Sequence, residues 1–305
     1  MMRKNYLTDS YVYYAEERAK RPTNFKKLHI KNTPREYCPF CPENEYMTPK
    51  RIYATDDETI RIVPNKYPFA KPTDECYGIH DVLIDTPDHE ERMSMYTDEH
   101  VGRLLEVIQM RYNDLKKDEK IKYIQVFKNQ GIDAGASQSH SHWQIAGLSL
   151  IPEKILKMTD KMKQYKEENG KCYFCGMDFG DRVIEENKHF IAFCPYDSLF
   201  TYEMQITSKR HIRDLGEFST EELHAFAVLL RNCVKRLAKM YEGISYNVCF
   251  YNAPKDLEKY TDMHFHAQII SRIGHMAGFE FSTGCYINSV FPEIAAQRLR
   301  EIDIK

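Results

Sequence analysis

The sequence predicts an α+β protein built from two copies of one unit, with antiparallel sheets that join, helices packed on one side and metal knuckles at the edges. Three observations lead there. A Cys-x-x-Cys turn occurs twice, as Cys38-Pro39-Phe40-Cys41 and Cys172-Tyr173-Phe174-Cys175. Each is followed by a lone histidine, in Asp88-His89 and Arg210-His211, and then by a His-x-His-x-Gln run, His140-Ser141-His142-Trp143-Gln144 and His264-Phe265-His266-Ala267-Gln268. The intervals also repeat: His89 precedes His140 by 51 positions and His211 precedes His264 by 53. A pattern kept in order and spacing marks a duplicated unit, divided here as residues 1–151 and 152–305.

At 305 residues, with 42% apolar and 12% aromatic side chains, the chain can build a substantial core. Its 43 basic and 45 acidic residues leave a formal charge of −2, so nothing suggests a nucleic-acid partner. No apolar run of about 18 residues is present to span a membrane. The start, Met1-Met2-Arg3-Lys4-Asn5-Tyr6, lacks the apolar stretch of a signal peptide. Four of nine cysteines sit in the knuckles, while Cys76, Cys194, Cys233, Cys249 and Cys285 are scattered singly. Free thiols and zinc ligands in a cytoplasmic protein fit that distribution better than disulfides.

Residues 1–30 form a basic and aromatic segment containing Arg18-Ala19-Lys20-Arg21-Pro22. After the first knuckle, strand-like runs follow at 60–63 and, past a Gly-Ile-His turn, at 81–84. Over 97–116, Val101, Leu104, Leu105, Ile108, Tyr112 and Leu115 recur at helical spacing, and Thr97-Asp98-Glu99 supplies a capping start. A strand is predicted over 123–128, a glycine-containing loop over 129–138 and a strand over 140–146, with Pro152 closing the unit. A charged helix over 153–171 bridges to the second copy. There, strands are expected at 190–194, 203–207, 246–251 and 264–271, with a helix over 220–241. Tyr123-Ile124-Gln125-Val126-Phe127-Lys128-Asn129 echoes Tyr246-Asn247-Val248-Cys249-Phe250-Tyr251-Asn252. The tail over 279–300 ends in a short helix.

A Cys-x-x-Cys turn brings two thiolates to one cation, and zinc takes four nitrogen and sulfur ligands tetrahedrally. Each half supplies two cysteines and the histidines that complete the set. The first set is Cys38, Cys41, His89 and His140; the second, by the repeat, is Cys172, Cys175, His211 and His264. A single such turn would as readily be a redox pair or two buried, inert thiols; two copies with register-matched histidines favour metal. All four positions are filled by protein, so two zinc ions per chain would be structural.

Alternate residues of a strand share a face, so His140, His142 and Gln144 project together while Ser141 and Trp143 point the other way. With His140 on the metal, His142 is left as a neutral imidazole able to attack phosphorus. Gln144 can donate to a phosphate oxygen as charge develops, and Gly135-Ala136-Ser137 can bring backbone N–H groups and the Ser137 hydroxyl to the same phosphates. A lone His-x-His is more often a satisfied core pair or a plain metal site; the glycine loop and trailing glutamine make His142 a nucleophile. The second copy lacks the Gly-Ala-Ser loop, so His266 is expected to be a non-catalytic echo.

These residues resemble a known family. Phe127-Lys128-Asn129-Gln130-Gly131, Ala134-Gly135-Ala136-Ser137 and His140-Ser141-His142-Trp143-Gln144 look like the active-site signature of galactose-1-phosphate uridylyltransferases, members of the histidine-triad superfamily with ADP-glucose phosphorylase among their relatives. The resemblance extends over nearly the whole chain: Arg18 to Pro22, the first knuckle, Pro87-Asp88-His89, and the tail Gly278-Phe279-Glu280-Phe281-Ser282-Thr283-Gly284-Cys285-Tyr286-Ile287-Asn288, which is similar to the phosphorylase branch. It implies two histidine-triad-like units and a ping-pong nucleotidyl transfer. His142 would attack the α-phosphorus of a nucleoside diphosphate sugar and release sugar 1-phosphate; a second phosphate, free or on a sugar, would then accept the nucleotidyl group. Arg18 and Arg21 would neutralise the phosphates, Ser137 and Gln144 would hold them, and Asn65 and Asn129 would orient the nucleoside or the nucleophile. The resemblance also implies a homodimer in which Glu280 and Tyr286 serve the neighbour's site.

Two departures bear on specificity. Ser139, Ser141 and Trp143 stand where the uridylyltransferases usually carry Pro and Gly, and Tyr286 aligns near their hexose-binding glutamine. Both lean towards the phosphorylase-like branch. The alternatives are therefore a phosphorylase or hydrolase using the same His142, and, in a different class, a zinc-containing nucleotide-binding protein without activity.

Overall fold

The computed structural model describes residues 1–16, 33–73, 77–256 and 258–304; Arg18, Arg21 and Cys76 lie outside the described residues. Two short N-terminal strands, β1 (Met2–Lys4) and β2 (Tyr11–Tyr14), come first. The first half then adds β3 (Tyr53–Ala54), β4 (Arg61–Pro64), β5 (Gly78–Ile84), β6 (Tyr123–Gln130) and β7 (His142–Leu148). The second half adds β8 (Val183–Glu186), β9 (Phe190–Phe193), β10 (Met204–Ser208), β11 (Tyr246–Tyr251) and β12 (His266–Ser271), and β13 (Tyr286–Asn288) follows. One ten-stranded sheet runs β3-β4-β5-β7-β6-β11-β12-β10-β9-β8, while β13 joins β1 and β2 in a small separate sheet. From the central β6/β11 pair outward the order is the same in both directions, so each strand of one half has a counterpart in the other. Every pairing in the large sheet is antiparallel.

The helices are α1 (Asp98–Lys116), α2 (Glu153–Asn169), α3 (Thr220–Met240), α4 (Gly278–Thr283) and α5 (Pro292–Arg300). Thr97 caps α1 by accepting from the His100 N–H, and Ser219 with Glu222 forms a capping box on α3. α1 and α3 bury Val101, Leu104, Leu105, Leu223, Phe226 and Leu230 against one face of the sheet, around Trp143, Phe250 and Phe265. Trp143 is fully buried there, 5.4 Å from the Phe250 ring. α2 differs from expectation. Its stripe of Ile155, Met158 and Met162 packs with Leu7, Phe174, Phe193 and Tyr251, which places it on the opposite face, over the second half.

Other departures are local. β7 and β12 begin at His142 and His266, not two residues earlier, because the His140 and His264 carbonyls accept from the ring of the following histidine instead of joining the ladder. Gly78 to His80 is the start of β5 and not a turn. β6 extends into the expected loop as far as Gln130, and the tail holds α4 and β13 before its last helix. The echo of Tyr123 in Tyr246 is one residue out: Gln144 faces Phe127 and Gln268 faces Cys249, which makes Asn129 the counterpart of Tyr251. Among the described residues no helix is long and apolar enough to cross a membrane.

Candidate active site

The knuckle closes on the start of β7. The His140 Nδ1 lies 3.6 Å from the Sγ of both Cys38 and Cys41, and the His89 Nδ1 lies 3.3 Å from Cys41. The four donor atoms lie within 4.8 Å of one another, all in buried residues, and could hold a metal ion. The second quartet converges alike, with His264 Nδ1 3.2 Å from Cys172 and 3.7 Å from Cys175, but Cys175 is exposed. Each inner histidine donates its other nitrogen outward, His140 to the Thr86 carbonyl at 2.8 Å and His264 towards Ser208 Oγ at 2.8 Å. Such outer partners fix the ring and its tautomer for ligation.

His142 is the next side chain on the same face. Its Nδ1 donates to the His140 carbonyl at 2.9 Å, which puts the ring proton on Nδ1 and leaves a lone pair on Nε2. Burial pushes its pKa down to about 4, so the ring is neutral at physiological pH. The edge of Phe40 rests 5.1 Å away. His142 opens on a cavity of about 130 Å³ lined by Phe40, Val63, Asn65, Ser137 and Gln144. The loop that carries Ser137 leaves β6 at Gly131, whose φ is +80° and where a Cβ would come within 2.9 Å of the Ser245 Cβ; glycine alone suits that position.

Behind the histidine lies a buried ion pair that sequence reasoning did not single out. Lys128 Nζ donates to Asp85 Oδ2 at 2.8 Å, Ser141 Oγ at 2.7 Å and the His142 carbonyl at 3.1 Å. Both charged side chains are wholly inaccessible. Burial pushes the Asp85 carboxyl up, but the charge and hydrogen bond of Lys128 outweigh it and hold the group below the usual carboxylate range. Burial also pulls Lys128 below its ordinary value against the attraction of Asp85. The two shifts point to opposite net effects; the ionised pair is the state that satisfies three oxygens around one ammonium.

The structure thus brings His142, Gln144, Ser137 and Asn65 to one cavity. Asn129 faces neighbouring strands, its Oδ1 accepting from Asn247 Nδ2 at 2.8 Å. Glu280 and Tyr286 do not line this cavity: the Glu280 carboxylate accepts from the Ala277 N–H at the start of α4, and Tyr286 sits in β13 against Phe200. His80, read from the sequence as part of a turn, reaches Gln144 Oε1 at 2.8 Å.

A larger cavity, about 350 Å³, occupies the equivalent place in the second half beside Tyr173, Phe193 and Gln205. Its lining includes Asn5, Asp178, Arg182 and Asp197, but neither His266 nor Gln268 reaches it. Tyr251 stacks on His266 at 4.7 Å and 10°, covering the ring. Gln268 is tied at both ends, donating to Glu203 Oε1 at 2.7 Å and accepting from the Tyr251 hydroxyl at 2.8 Å.

The model of a family described as "Domain of unknown function (DUF4931) N-terminal domain" matches residues 19–151. An ADP-glucose phosphorylase of Arabidopsis thaliana is 32% identical over 328 aligned positions, which cover 99% of this chain and 93% of the relative. A galactose-1-phosphate uridylyltransferase of Thermotoga maritima is 31% identical, covering 100% of this chain and 99% of its own. The crystal structure of an A. thaliana ADP-glucose phosphorylase with bound ADP-glucose superposes with a TM-score of 0.90 at 31% identity, covering 99% of both chains.

Proposed function

Since the chain belongs to the galactose-1-phosphate uridylyltransferase family and is a nucleotidyltransferase, we propose that it moves a nucleoside monophosphate between a nucleoside diphosphate sugar and a phosphate through a covalent bond to His142. The carrying observation is the state of that ring: neutral, with its proton held on Nδ1 and its Nε2 lone pair at the cavity. Nε2 forms a bond to the α-phosphorus while the bond from that phosphorus to the bridging oxygen breaks, and sugar 1-phosphate leaves with the electron pair. The ring becomes a cation, and its Nδ1–H bond to the His140 carbonyl strengthens as that charge develops. An oxygen of the incoming phosphate then attacks phosphorus from the side the first product vacated and returns the lone pair to Nε2. Gln144 and Ser137 would hold the phosphate oxygens, Arg18 and Arg21 would neutralise them, and Asn65 and Asn129 would orient the nucleoside and the nucleophile.

Both quartets suit zinc. A tetrahedral zinc with sulfur and nitrogen ligands sets them about 3.6 Å apart, and the sulfur–nitrogen distances here run from 3.2 to 3.7 Å. Cys38, Cys41, His89 and His140 would hold one ion, and Cys172, Cys175, His211 and His264 the other. When bound, zinc would supply structural cross-linking, with no open position for substrate. The same reading takes residues 1–151 and 152–305 as the two units, places the protein in the cytoplasm, and makes it a homodimer in which Glu280 and Tyr286 serve the partner's site.

The sugar nucleotide is the open choice between two relatives of nearly equal identity, one acting on ADP-glucose and one a uridylyltransferase. Incubation with UDP-glucose and, separately, ADP-glucose, without acceptor, followed by intact mass, decides it. The expected result is a gain of one nucleotide from one donor, lost in His142→Ala. No adduct from either donor in metal-replete protein would overturn the reading for these substrates. Phosphate or galactose 1-phosphate added to the isolated adduct then tells a phosphorylase from a uridylyltransferase by which of them discharges it.

A further inference from the structure

Resting on that reading, we propose that His80 is the positioning residue that turns the Gln144 amide nitrogen towards the phosphate. An amide side chain has two faces of nearly equal shape, one donating and one accepting, and only the donating face suits an anionic oxygen. Something must choose. His80 Nε2 lies 2.8 Å from Gln144 Oε1, so the ring N–H takes the carbonyl end and leaves the NH2 group facing the cavity that Gln144 lines. The opposite choice, with the ring proton on Nδ1, would let Nε2 accept from Asn65, but it would bury an N–H that has no partner, where the first choice leaves only an unpaired acceptor, and it would aim the Gln144 oxygen at the substrate. The ring is held for this task. It is buried on β5 and the Phe69 ring lies against it at 4.2 Å.

The same nitrogen lies 3.2 Å from Asn65 Nδ2. One ring N–H can serve only one acceptor, and the Asn65 carbonyl end is already taken by the Tyr67 N–H at 2.8 Å. With the ring proton given to Gln144, Nε2 offers the Asn65 NH2 group no lone pair, so one Asn65 N–H meets the ring unmatched. His80 thus stands between the two amides of the cavity.

The second half supplies an internal control. Val82 faces Gln144 and Gln205 faces Gln268 across their strands, so the residues two positions before them, His80 and Glu203, are counterparts. Each holds the glutamine of its own half, but with opposite polarity. Glu203 accepts from the Gln268 nitrogen at 2.7 Å, which occupies the donor that His80 leaves unoccupied on Gln144. A histidine at this strand position presents a donor; a glutamate withdraws it.

The test is a double-mutant cycle on the rate of nucleotide adduct formation with the donor that labels wild-type protein. His80→Phe keeps the ring and removes the N–H, and His80→Gln restores an N–H at the Nε2 position. His80→Phe is expected to slow adduct formation about 10–100-fold, as loss of an outer-shell partner does, with KM moved far less than kcat. His80→Gln should recover most of it. In a Gln144→Ala background, His80→Phe should change the rate less than about 2-fold, because a partner with nothing left to orient has no further effect. An equal fold-loss in both backgrounds, or a wild-type rate for His80→Phe, would overturn the inference. A wild-type chain that forms no adduct would instead bring down the nucleotidylation reading itself. Melting temperature and metal content of each variant separate positioning from misfolding.

Discussion

Lys128→Met tests whether the pair behind the catalytic strand supports it. The substitution keeps the chain's length and apolar stem but leaves the Asp85 carboxylate wholly buried, with Ser141 Oγ at 3.2 Å as its remaining donor. Breaking a buried ion pair from one side costs about 3–5 kcal/mol, because the other charge stays in a medium that does not solvate it. Unfolding entropy near 2.1 cal/mol/K per residue gives about 0.64 kcal/mol/K for a chain of 305 residues. The melting temperature should therefore fall by about 5–8 °C. Removing both partners, Lys128→Met with Asp85→Leu, should cost less than the single change, since no orphan charge remains. Thermal scans followed by circular dichroism on metal-replete protein measure both. Because Lys128 also donates to the His142 carbonyl, adduct formation should slow in both variants even where stability returns. A melting shift under 2 °C for Lys128→Met, or a double variant as unstable as the sum of the singles, would refute the reasoning.

Three further outcomes follow from the same geometry. Burial pushes the Glu203 carboxyl up to about 7 from an ordinary 4.5; the folded state then holds a proton that the unfolded chain releases, so stability falls as pH rises from about 4.5 to 7, by up to about 3 kcal/mol at 1.4 kcal/mol per unit. Glu203→Gln should flatten that slope in urea titrations between pH 5 and 8, and an unchanged slope would assign the effect elsewhere. Chelator should strip metal in two phases, the fast one abolished by Cys175→Ala, because Cys175 is exposed while the first quartet is buried throughout; a single phase would contradict the difference in access. In His142→Ala, peptide mapping after incubation with the labelling donor should find no nucleotide on His266, and an adduct there would overturn the account of the second half.

What the sequence makes legible is what chemistry ties to residue type and spacing. Cysteines three positions apart, a histidine some fifty residues before a His-x-His, and the loop glycines stand at spacings that ligation or a positive φ would need, so the convergence of the two Cys/His quartets can be read from the sequence. Lys128 and Asp85 cannot. A lysine in a strand reads as a solvated side chain, and its partner lies 43 residues away, so only the fold reveals that both point into the core. His80 is hidden for a related reason: Gly78-Ile79-His80 has turn composition, yet the ladder with β7 overrides it. The face taken by α2 is equally silent, since an amphipathic stripe says that a helix packs but not on which side of a sheet.

That last placement bears on why a duplicated fold would work from one half. The Cys/His quartet and the back-bonded histidine recur on both sides, and burial pushes His266 down to about 3, so it too is a neutral imidazole. Basicity therefore does not distinguish the halves; access and donors do. Two residues beyond the Phe127–Gln144 pair, β6 carries Asn129, whereas two beyond the Cys249–Gln268 pair β11 carries Tyr251, opposite His266, with its ring flat on the imidazole. The Tyr251 hydroxyl then takes the Gln268 oxygen and Glu203 takes its nitrogen, and α2 with Leu7 packs over the same face. Tyr251 and Glu203 thus cover the imidazole and hold both ends of the glutamine in the second half. The second half keeps the Cys/His quartet and its share of the sheet but covers its imidazole, while the first leaves His142 and Gln144 lining a cavity.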